Sequence, residues 1–590
     1  MPAPTRCQAL TWLAAATCLL QPVQADGTYR SRPDLSPPHL NITIPCDGRC
    51  EAGYLFVAPF TGYADPVDHG PLQAAPYILT DEGDLVWSGF TYFSTWSGNF
   101  QAARWRGRDV LFSFEGAHNS LHGHGHGHHT FLDQDYQTIR ELRAGHNMLS
   151  DKHEFIVLNE TTALFQIYHP IQMDLSAYGG TPEQTWIVDA RFQEVDIETG
   201  KVLFEWRSLD WASPDETALP LPLGQAGIGH NSSTAWDYFH INSITKGDDG
   251  HYLVSARHAS TVLKVNGTDG SVIWRLGGHK SDFELGPNVT FGFQHHARYL
   301  SGGDPVPLST TEVISLFDNS VYGSESAGGG DKEVHLFPWS RGKYIELDHA
   351  AKKATLVKTF HPPNHSILAK SQGSLQTLPR GNALINWGSE GQITEFSTEA
   401  GEQPIFHAFL DSGFLQDKLQ NYRAFRYNWT GFSPETIAVV AEHPRPGGGG
   451  GAQLDYHEGD QVDSSAVNVY VSWNGDTVTK SWRLSWSQED SSTAVVTQHA
   501  REYKRTGFET AMRIQPSTRA LVSGVRVEAI GDHGRVLSVS DPVEVGPAAP
   551  WTQPWQPRER KGASASFDGH NNQQPLLAVG GRAVRGNIFK

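Results

Sequence analysis

Cysteine is almost absent from this chain, with four in 590 residues. Cys7 and Cys18 fall in the first twenty positions, so only Cys46 and Cys50 remain beyond them. Two cysteines cannot staple a core of this size. In "PCDGRC" they have no partner cysteines for a metal site, so a small disulfide loop is the first reading and a metal or redox pair the second. Long apolar stretches of helical period are scarce, which argues against a helical protein. After residue 20 no apolar run approaches a membrane span. Excess positive charge is lacking as well. The net charge of −18 repels nucleic acid and anionic membranes, so neither is an expected partner. No GxxxxGK[ST] loop, Gly-rich nucleotide fingerprint, GxSxG elbow, HExxH or CxxC is present. Nucleotide-dependent, serine-hydrolase and zinc-hydrolase chemistries therefore have no visible foothold.

The N-terminus carries a secretory pattern. Arg6 precedes the apolar run "ALTWLAAATCLL" (Ala9 to Leu20), and "VQA" ends at Ala25. This predicts a signal peptide over 1–25 and a secreted, extracellular protein, with a retained N-terminal anchor as the alternative. Seven sequons agree: Asn41, Asn159, Asn231, Asn266, Asn288, Asn364 and Asn428 are expected glycosylation sites.

Abundant Gly, Pro and aromatic residues point to an all-β chain with many turns. Six segments share a polar turn followed by an apolar strand. They are "TDEGDLVWSG", "LDQDYQTIRELRAG", "VDIETGKVLFEW", "VNGTDGSVIWRL", "LDHAAKKATLVKTF" and "EFSTEAGEQPIFHAF". The third and fourth follow similar strands, "WIVDARFQEV" and "YLVSARHASTV". A multi-strand repeat of this period predicts blades that cover one another's faces, hence a six-bladed β-propeller over 51–442. An irregular β-sandwich with common Asp/Gly turns is the alternative. An N-terminal segment, 26–50, holds the disulfide loop. The glycine run in 443–465 reads as a linker. Alternating strands around an Asn474-Gly475 hairpin turn predict a small immunoglobulin- or fibronectin-like β-sandwich over 466–545. The tail, 546–590, reads as disordered.

Chemistry-bearing residues gather near strand starts. His153 precedes an apolar strand in "SDKHEFIVL". His240 and Asn242 lie two apart in "DYFHINSI", on one face of a strand, and Arg257 lies across the following turn in "SARH". His295 and His296 follow in "FQHHAR". In a propeller such residues meet at the mouth of the central channel. Three histidines, an arginine and an asparagine there suit a tetrahedral oxyanion, and a neutral imidazole can attack it. His258 reads as the outward neighbour of Arg257, and Asp318, Asn319, Gln372 and Asn386 as turn chemistry. The conspicuous "HGHGHGHH" (His122 to His129) reads as a flexible blade loop with opportunistic metal affinity, because glycine argues against rigid ligands. No metal site is assigned.

In order, "HEFIVL", "DYFHINSI", "SARH", "FQHHAR" and "LFDN" resemble the arylsulfotransferase (ASST) family. The likeness is closest to its secreted fungal branch, with "GDLVWSG", "QEVDIETGKVLFEW" and "VSWNGDT". The resemblance runs from about Cys50 to Val545. It implies a six-bladed propeller that moves a sulfuryl group from an aryl sulfate to a phenol without a nucleotide donor or other cofactor. It also implies a transiently sulfated histidine at His295, with His296 as the alternative register. His240, Asn242 and Arg257 would hold sulfuryl oxygens, and His153 would be an acid/base or a further ligand. The chain departs from the bacterial enzymes, which carry a sandwich before the propeller. Two other functions stay open: a propeller scaffold that binds a glycan, protein or metabolite or runs a divergent reaction, and a Ca²⁺-dependent propeller hydrolase, for which carboxylates are few.

Overall fold

The computed structural model describes residues 26–547 apart from 62–70, 94–95, 120–122, 301–310, 324–332, 398, 400, 413–418, 445–464, 491–494 and 517–519. The expected signal peptide, His122, most of the Gly-rich linker and nearly all of the tail lie outside the described residues. The chain divides into Met1–Ala549 and Pro550–Lys590, and the sheets lie in the first unit.

The described chain is nearly all β. Six antiparallel sheets follow one another from Tyr54 to Tyr427, each built on four strands in a meander. Each of the six repeated segments lies on the hairpin between the third and fourth strands of one sheet. Local chemistry explains the repetition. In the third sheet the carboxylate of Asp196 accepts from the Thr199 N–H at 2.7 Å, and Gly200 takes φ 72°. In the fourth, the Asn266 side-chain oxygen accepts from the Thr268 N–H at 2.8 Å, and Gly270 takes φ 81°. An Asx turn closed by a left-handed glycine is the cheapest way to reverse a strand here.

Burial differs by strand position. Trp186–Asp196, the third strand of its sheet, is buried along nearly its whole length, whereas the outer strand Val202–Arg207 is half exposed. Both faces of this third strand are covered, so its polar residues Asp189, Arg191, Gln193 and Glu194 are buried with its apolar ones.

The innermost strands pass round in a circuit. Phe425–Tyr427 packs on Trp96–Trp105, which packs on Phe155–Leu158. Thr162–Gln172, paired with that strand, packs on Ile241–Lys246, which packs on His295–Tyr299, which packs on Ser374–Thr377. Ala383–Asn386, beside that last strand, returns to Phe425–Tyr427. Phe425–Tyr427 pairs antiparallel with Tyr54–Val57, so a late strand of the run joins the first sheet. His39–Ile44 adds to Gln403–Asp411 on the outer edge of the sixth. These pairings cover two edges that would otherwise be open. Cys46 and Cys50 are disulfide-bonded just after that edge strand.

Beyond Tyr427, a three-stranded sheet and a second sheet built on Ser481–Asp490 share one apolar cluster that includes Val469, Trp482 and Val527. Ala438–Glu442, expected at the end of the propeller, pairs instead with Val467–Ser472 of this region. The expected Asn474-Gly475 hairpin also differs, since Val467–Ser472 pairs with Ala438–Glu442 and Glu509–Ile514, not with the strand that follows the turn. Its residues serve a tertiary contact. The Asn474 amide accepts from the Ser88 N–H at 2.8 Å and donates to the Ser88 carbonyl at 3.1 Å. Gly475 lies so close to Tyr136 that a Cβ would sit 2.5 Å from its ring. A side chain completing a strand's hydrogen bonds outcompeted the local turn signal.

From Gly125 onward the "HGHGHGHH" stretch is strand and not loop, while Gly123 and His124 lie in the turn before it. Gly125–Leu132 is the third strand of the second sheet. Its glycines permit close approach: a Cβ on Gly127 would lie 2.1 Å from the Glu115 carbonyl oxygen. His129 is fully buried, its ring stacked on Phe155 at 4.1 Å.

Candidate active site

Three histidines occupy equivalent places. His153 stands two residues before Phe155–Leu158, His240 one before Ile241–Lys246, and His295 begins His295–Tyr299. These are the first strands of the third, fourth and fifth sheets, so one topological position brings the rings together. Backbone twists aim them. His240 takes φ 57° and His296 φ 54°, each beside a register shift in its strand. Such bulges re-aim side chains and break strict alternation. His295 and His296 are both buried, but they meet different partners, Asn319 for His295 and the Leu375 carbonyl for His296.

Each imidazole is oriented by an acceptor. His153 Nδ1 lies 2.5 Å from an Asp151 carboxylate oxygen, which also accepts the His153 backbone N–H at 2.8 Å. His240 Nδ1 lies 2.5 Å from Asp237 Oδ2. His295 Nδ1 lies 2.7 Å from Asn319 Oδ1. Carboxylates and a side-chain carbonyl accept, so these nitrogens carry the protons and Nε2 keeps the lone pair in all three rings. Asn319 is itself fixed, donating to the carbonyls of Ala369 and Gln372 at 3.0 Å each. It is therefore more than turn chemistry. Asp318 beside it pairs with Arg341 and Lys343, a structural role. The Gln372 N–H points at His295 Nε2 from 3.2 Å, and Asn386 donates to the carbonyls of Asn421 and Tyr422.

Arg257 and His258 act as a unit. The guanidinium donates to His258 Nε2 and to the Lys370 carbonyl, each at 3.0 Å, and lies over the Tyr322 ring. His258 donates from Nδ1 to the Asp237 carbonyl at 2.6 Å, and its ring lies 4.4 Å from that of His240. His258 is thus buried in the site and is not an outward neighbour, because the Arg257–His258 turn folds back under Asp237. Asn242 is wholly buried and donates to the Gln294 carbonyl at 2.7 Å, so it braces the backbone next to His295.

Sequence reading missed three members. Lys152 is 3% exposed, its ammonium 5.2 Å from the Trp96 ring and 5.1 Å from the Tyr422 ring. Tyr422 packs edge-on to His153 at 5.3 Å. His124, from the glycine-rich stretch, places Nε2 2.8 Å from Asp237 Oδ2 and stacks on Tyr168 at 3.9 Å. The available signals were the carboxylates of "SDKH" and "WDYFH", two and three residues before a histidine.

Burial sets the protonation states. Desolvation holds the His153 imidazole well below its ordinary value, and Lys152 adds to the effect. Desolvation, reinforced by Arg257, does the same to His295. Burial lowers His240 to about 3, with Asp237 opposing. All three rings are neutral at physiological pH. Burial alone would raise the Asp237 carboxyl, but His240 and the hydrogen bonds from His124 and His240 outweigh it and hold the group well below its range. The result is a buried cluster with two strong cations, Lys152 and Arg257, around three imidazole lone pairs. It can bind an anion and attack it.

A family model described as arylsulfotransferase (ASST) matches residues 101–406, just over half of the chain and all three strand-start histidines. The chain belongs to the arylsulfotransferase family. At family level this supports aryl sulfotransferase activity, with phenols and aryl sulfates as the substrate class. Among curated proteins there is no match. Solved structures similar to this arylsulfotransferase-family chain include a protein of unknown function from Bacteroides caccae, 11% identical, covering 63% of this chain and 98% of its own at a TM-score of 0.31. A GH43 protein, BlXynB, from Bacillus licheniformis is 8% identical over 77% and 90% of the two chains at 0.28. The GH32 β-fructofuranosidase BmSUC1 of Bombyx mori is 10% identical over 83% and 89% at 0.26. Scores this low carry nothing further about chemistry. No helix among the described residues is long and apolar enough to cross a membrane.

Proposed function

We propose that this arylsulfotransferase-family protein is a six-bladed propeller that passes a sulfuryl group between phenolic compounds, without a nucleotide donor, through a sulfated His295. The observation that carries this reading is the neutral His295 ring, locked as the Nδ1–H tautomer by Asn319 and facing Arg257, His153 and His240 from neighbouring sheets. The circuit of inner strands supports the propeller.

In the first half-reaction His295 Nε2 attacks sulfur, exchanging its long contact with the Gln372 N–H for an N–S bond. The S–O bond to the ring breaks, and the phenolate leaves beside Lys152 and Arg257. In the second, an incoming phenol loses its proton to Nε2 of His153 as its oxygen attacks sulfur and the N–S bond breaks. With Nδ1–H held by Asp151, His153 is built as a base, so the departing phenolate takes its proton from solvent and His153 returns the acceptor's proton to solvent before the next turnover. Arg257 steadies the sulfuryl oxygens through both steps. Asn242 holds the strand that carries His295. His240 donates to a sulfuryl oxygen only with a proton on Nε2, since in the tautomer seen it offers a lone pair there.

We also read the protein as secreted and glycosylated, in the fungal branch of the family. The N-terminal apolar run, the Cys46–Cys50 disulfide and the sequons support this. Six of the seven sequon asparagines are exposed and Asn266 is half-buried.

Steady-state kinetics test the reaction. With 4-nitrophenyl sulfate and a phenol, wild type should give the parallel-line pattern of a ping-pong enzyme. His295→Ala should lose transfer while keeping its thermal transition. Normal turnover by that variant would sink the assignment.

A further inference from the structure

Two imidazoles converge on one oxygen beside the transfer site. His124 Nε2 lies 2.8 Å and His240 Nδ1 2.5 Å from Asp237 Oδ2. One ligand atom from each of these three residues falls within 4.8 Å of the others. Elements far apart in sequence build the group: His124 precedes the third strand of the second sheet, and Asp237 and His240 lead into the fourth sheet. We infer that His124, Asp237 and His240 form a binding site for a divalent first-row transition ion, Zn²⁺ above all.

Three features favour a metal site over an incidental contact. The first is ligand chemistry. Two imidazole nitrogens and a carboxylate oxygen are a common three-ligand set for zinc, with a fourth position left for water or an anionic oxygen. Zn–N and Zn–O bonds near 2.1 Å put tetrahedral ligands roughly 3.3 Å apart, so shifts below about an ångström convert the observed cluster. The second is the supporting shell. Asp237 Oδ1 accepts the His240 backbone N–H at 3.1 Å, the Asp237 carbonyl is held by His258, and the His124 ring is flattened on Tyr168 with 11° between planes. Ligands braced in this way pay little to organise around an ion. The third is the strand itself. The Gly127 N–H donates to the Ser150 carbonyl at 3.0 Å, and the Gly125 N–H donates to Asp151. The glycine-rich strand is thereby fixed where His124 meets Asp237.

The ion would also resolve the problem of His240. On binding it at Nδ1, the ring keeps its single proton but carries it on Nε2. No proton is gained or lost. His240 Nε2–H then donates to a sulfuryl oxygen, which the tautomer without an ion cannot do. His124 likewise moves its proton from Nε2 to Nδ1. This role deepens the transfer reading and rests on it. The site itself does not.

The test uses the full secreted chain purified without an affinity tag, stripped with chelator, and titrated with Zn²⁺ against a chromophoric chelator. Co²⁺ is added in parallel for its visible absorption. Wild type, His126→Ala and His295→Ala should each bind one ion. His124→Ala and Asp237→Asn should bind more weakly by at least the roughly 10–100-fold typical of losing an outer-shell partner. Wild-type Co²⁺ protein should show the intense visible bands of a low-coordinate site, a readout that needs no variant to fold. Absence of binding in wild type, equal binding by His124→Ala, or loss confined to His126→Ala would each overturn the site. The last result would mean tag-like capture by the exposed strand. His295→Ala separates the two claims: it should bind the ion yet transfer nothing. Sulfuryl transfer by metal-free wild type would overturn the role given to the ion and leave the transfer reading intact.

Discussion

His295 Nδ1 and Asn319 Oδ1 lie 2.7 Å apart, and this contact decides which ring nitrogen meets the substrate. Without an acceptor at that place the proton can sit on Nε2 and block attack. Asn319→Ala should lower kcat for 4-nitrophenyl sulfate by about 10–100-fold, the usual cost of an orienting partner. Asn319→Asp keeps an acceptor there and should recover part of the loss. Equal rates for wild type and Asn319→Ala would show that the tautomer is set elsewhere.

Asp151 does for His153 what Asn319 does for His295, but in the other half-reaction. Asp151→Asn should preserve the first burst of nitrophenol and slow discharge to an added phenol by on the order of 100-fold. Rapid-mixing absorbance separates the two phases. A slowed burst with normal discharge would assign His153 to the leaving group.

Stability should fall as acid is added. Burial holds His118 at about 2, His129 and His240 at about 3, and His407 at about 4. Each is depressed below its unfolded value of about 6.5, so each stays neutral when folded and takes a proton when unfolded. Their contribution is complete above about pH 6.5 and shrinks as pH falls, by roughly 1.4 kcal/mol per pH unit for each residue until its folded pKa is reached. Melting curves from pH 8 to pH 4 should show the decline beginning near 6.5. Among the described residues neither ring nitrogen of His129 has a hydrogen-bond partner. His129→Leu should therefore flatten the slope by one proton and raise the melting temperature at the acid end.

Below the transfer site, Glu154 bridges Arg298 at 2.7 Å and Arg423 at 2.8 Å, and both Glu154 and Arg423 are fully buried. Glu154→Gln would leave two buried guanidinium groups facing a neutral amide. Breaking such a pair costs about 3–5 kcal/mol. Urea unfolding should show that loss with little change in slope.

Patterns within a single strand or turn were readable from sequence. Six polar turns marked the third-to-fourth strand hairpin of six sheets, because Asx and glycine chemistry is local. His153, His240 and His295 were found because each opens an inner strand. What sequence hid depended on contacts between sheets. His124 does lie in the loop before Gly125–Leu132, but the glycines that suggested freedom lack side chains and so let two strands press together, which fixes that end of the loop. His258 looked outward by alternation, which fails where the chain turns back at Arg257. Asn474-Gly475 has a hairpin's composition, yet its amide was needed by Ser88. Ala438–Glu442 found its partner beyond the Gly-rich linker.

The most direct test of the central claim is the mass of the peptide holding His295 and His296 after brief exposure to 4-nitrophenyl sulfate, with fragmentation to place the modification. The account predicts one added sulfuryl group on His295, removed when a phenol is supplied before quenching. A sulfuryl group on His296, or nitrophenol released with neither histidine ever modified, would contradict it.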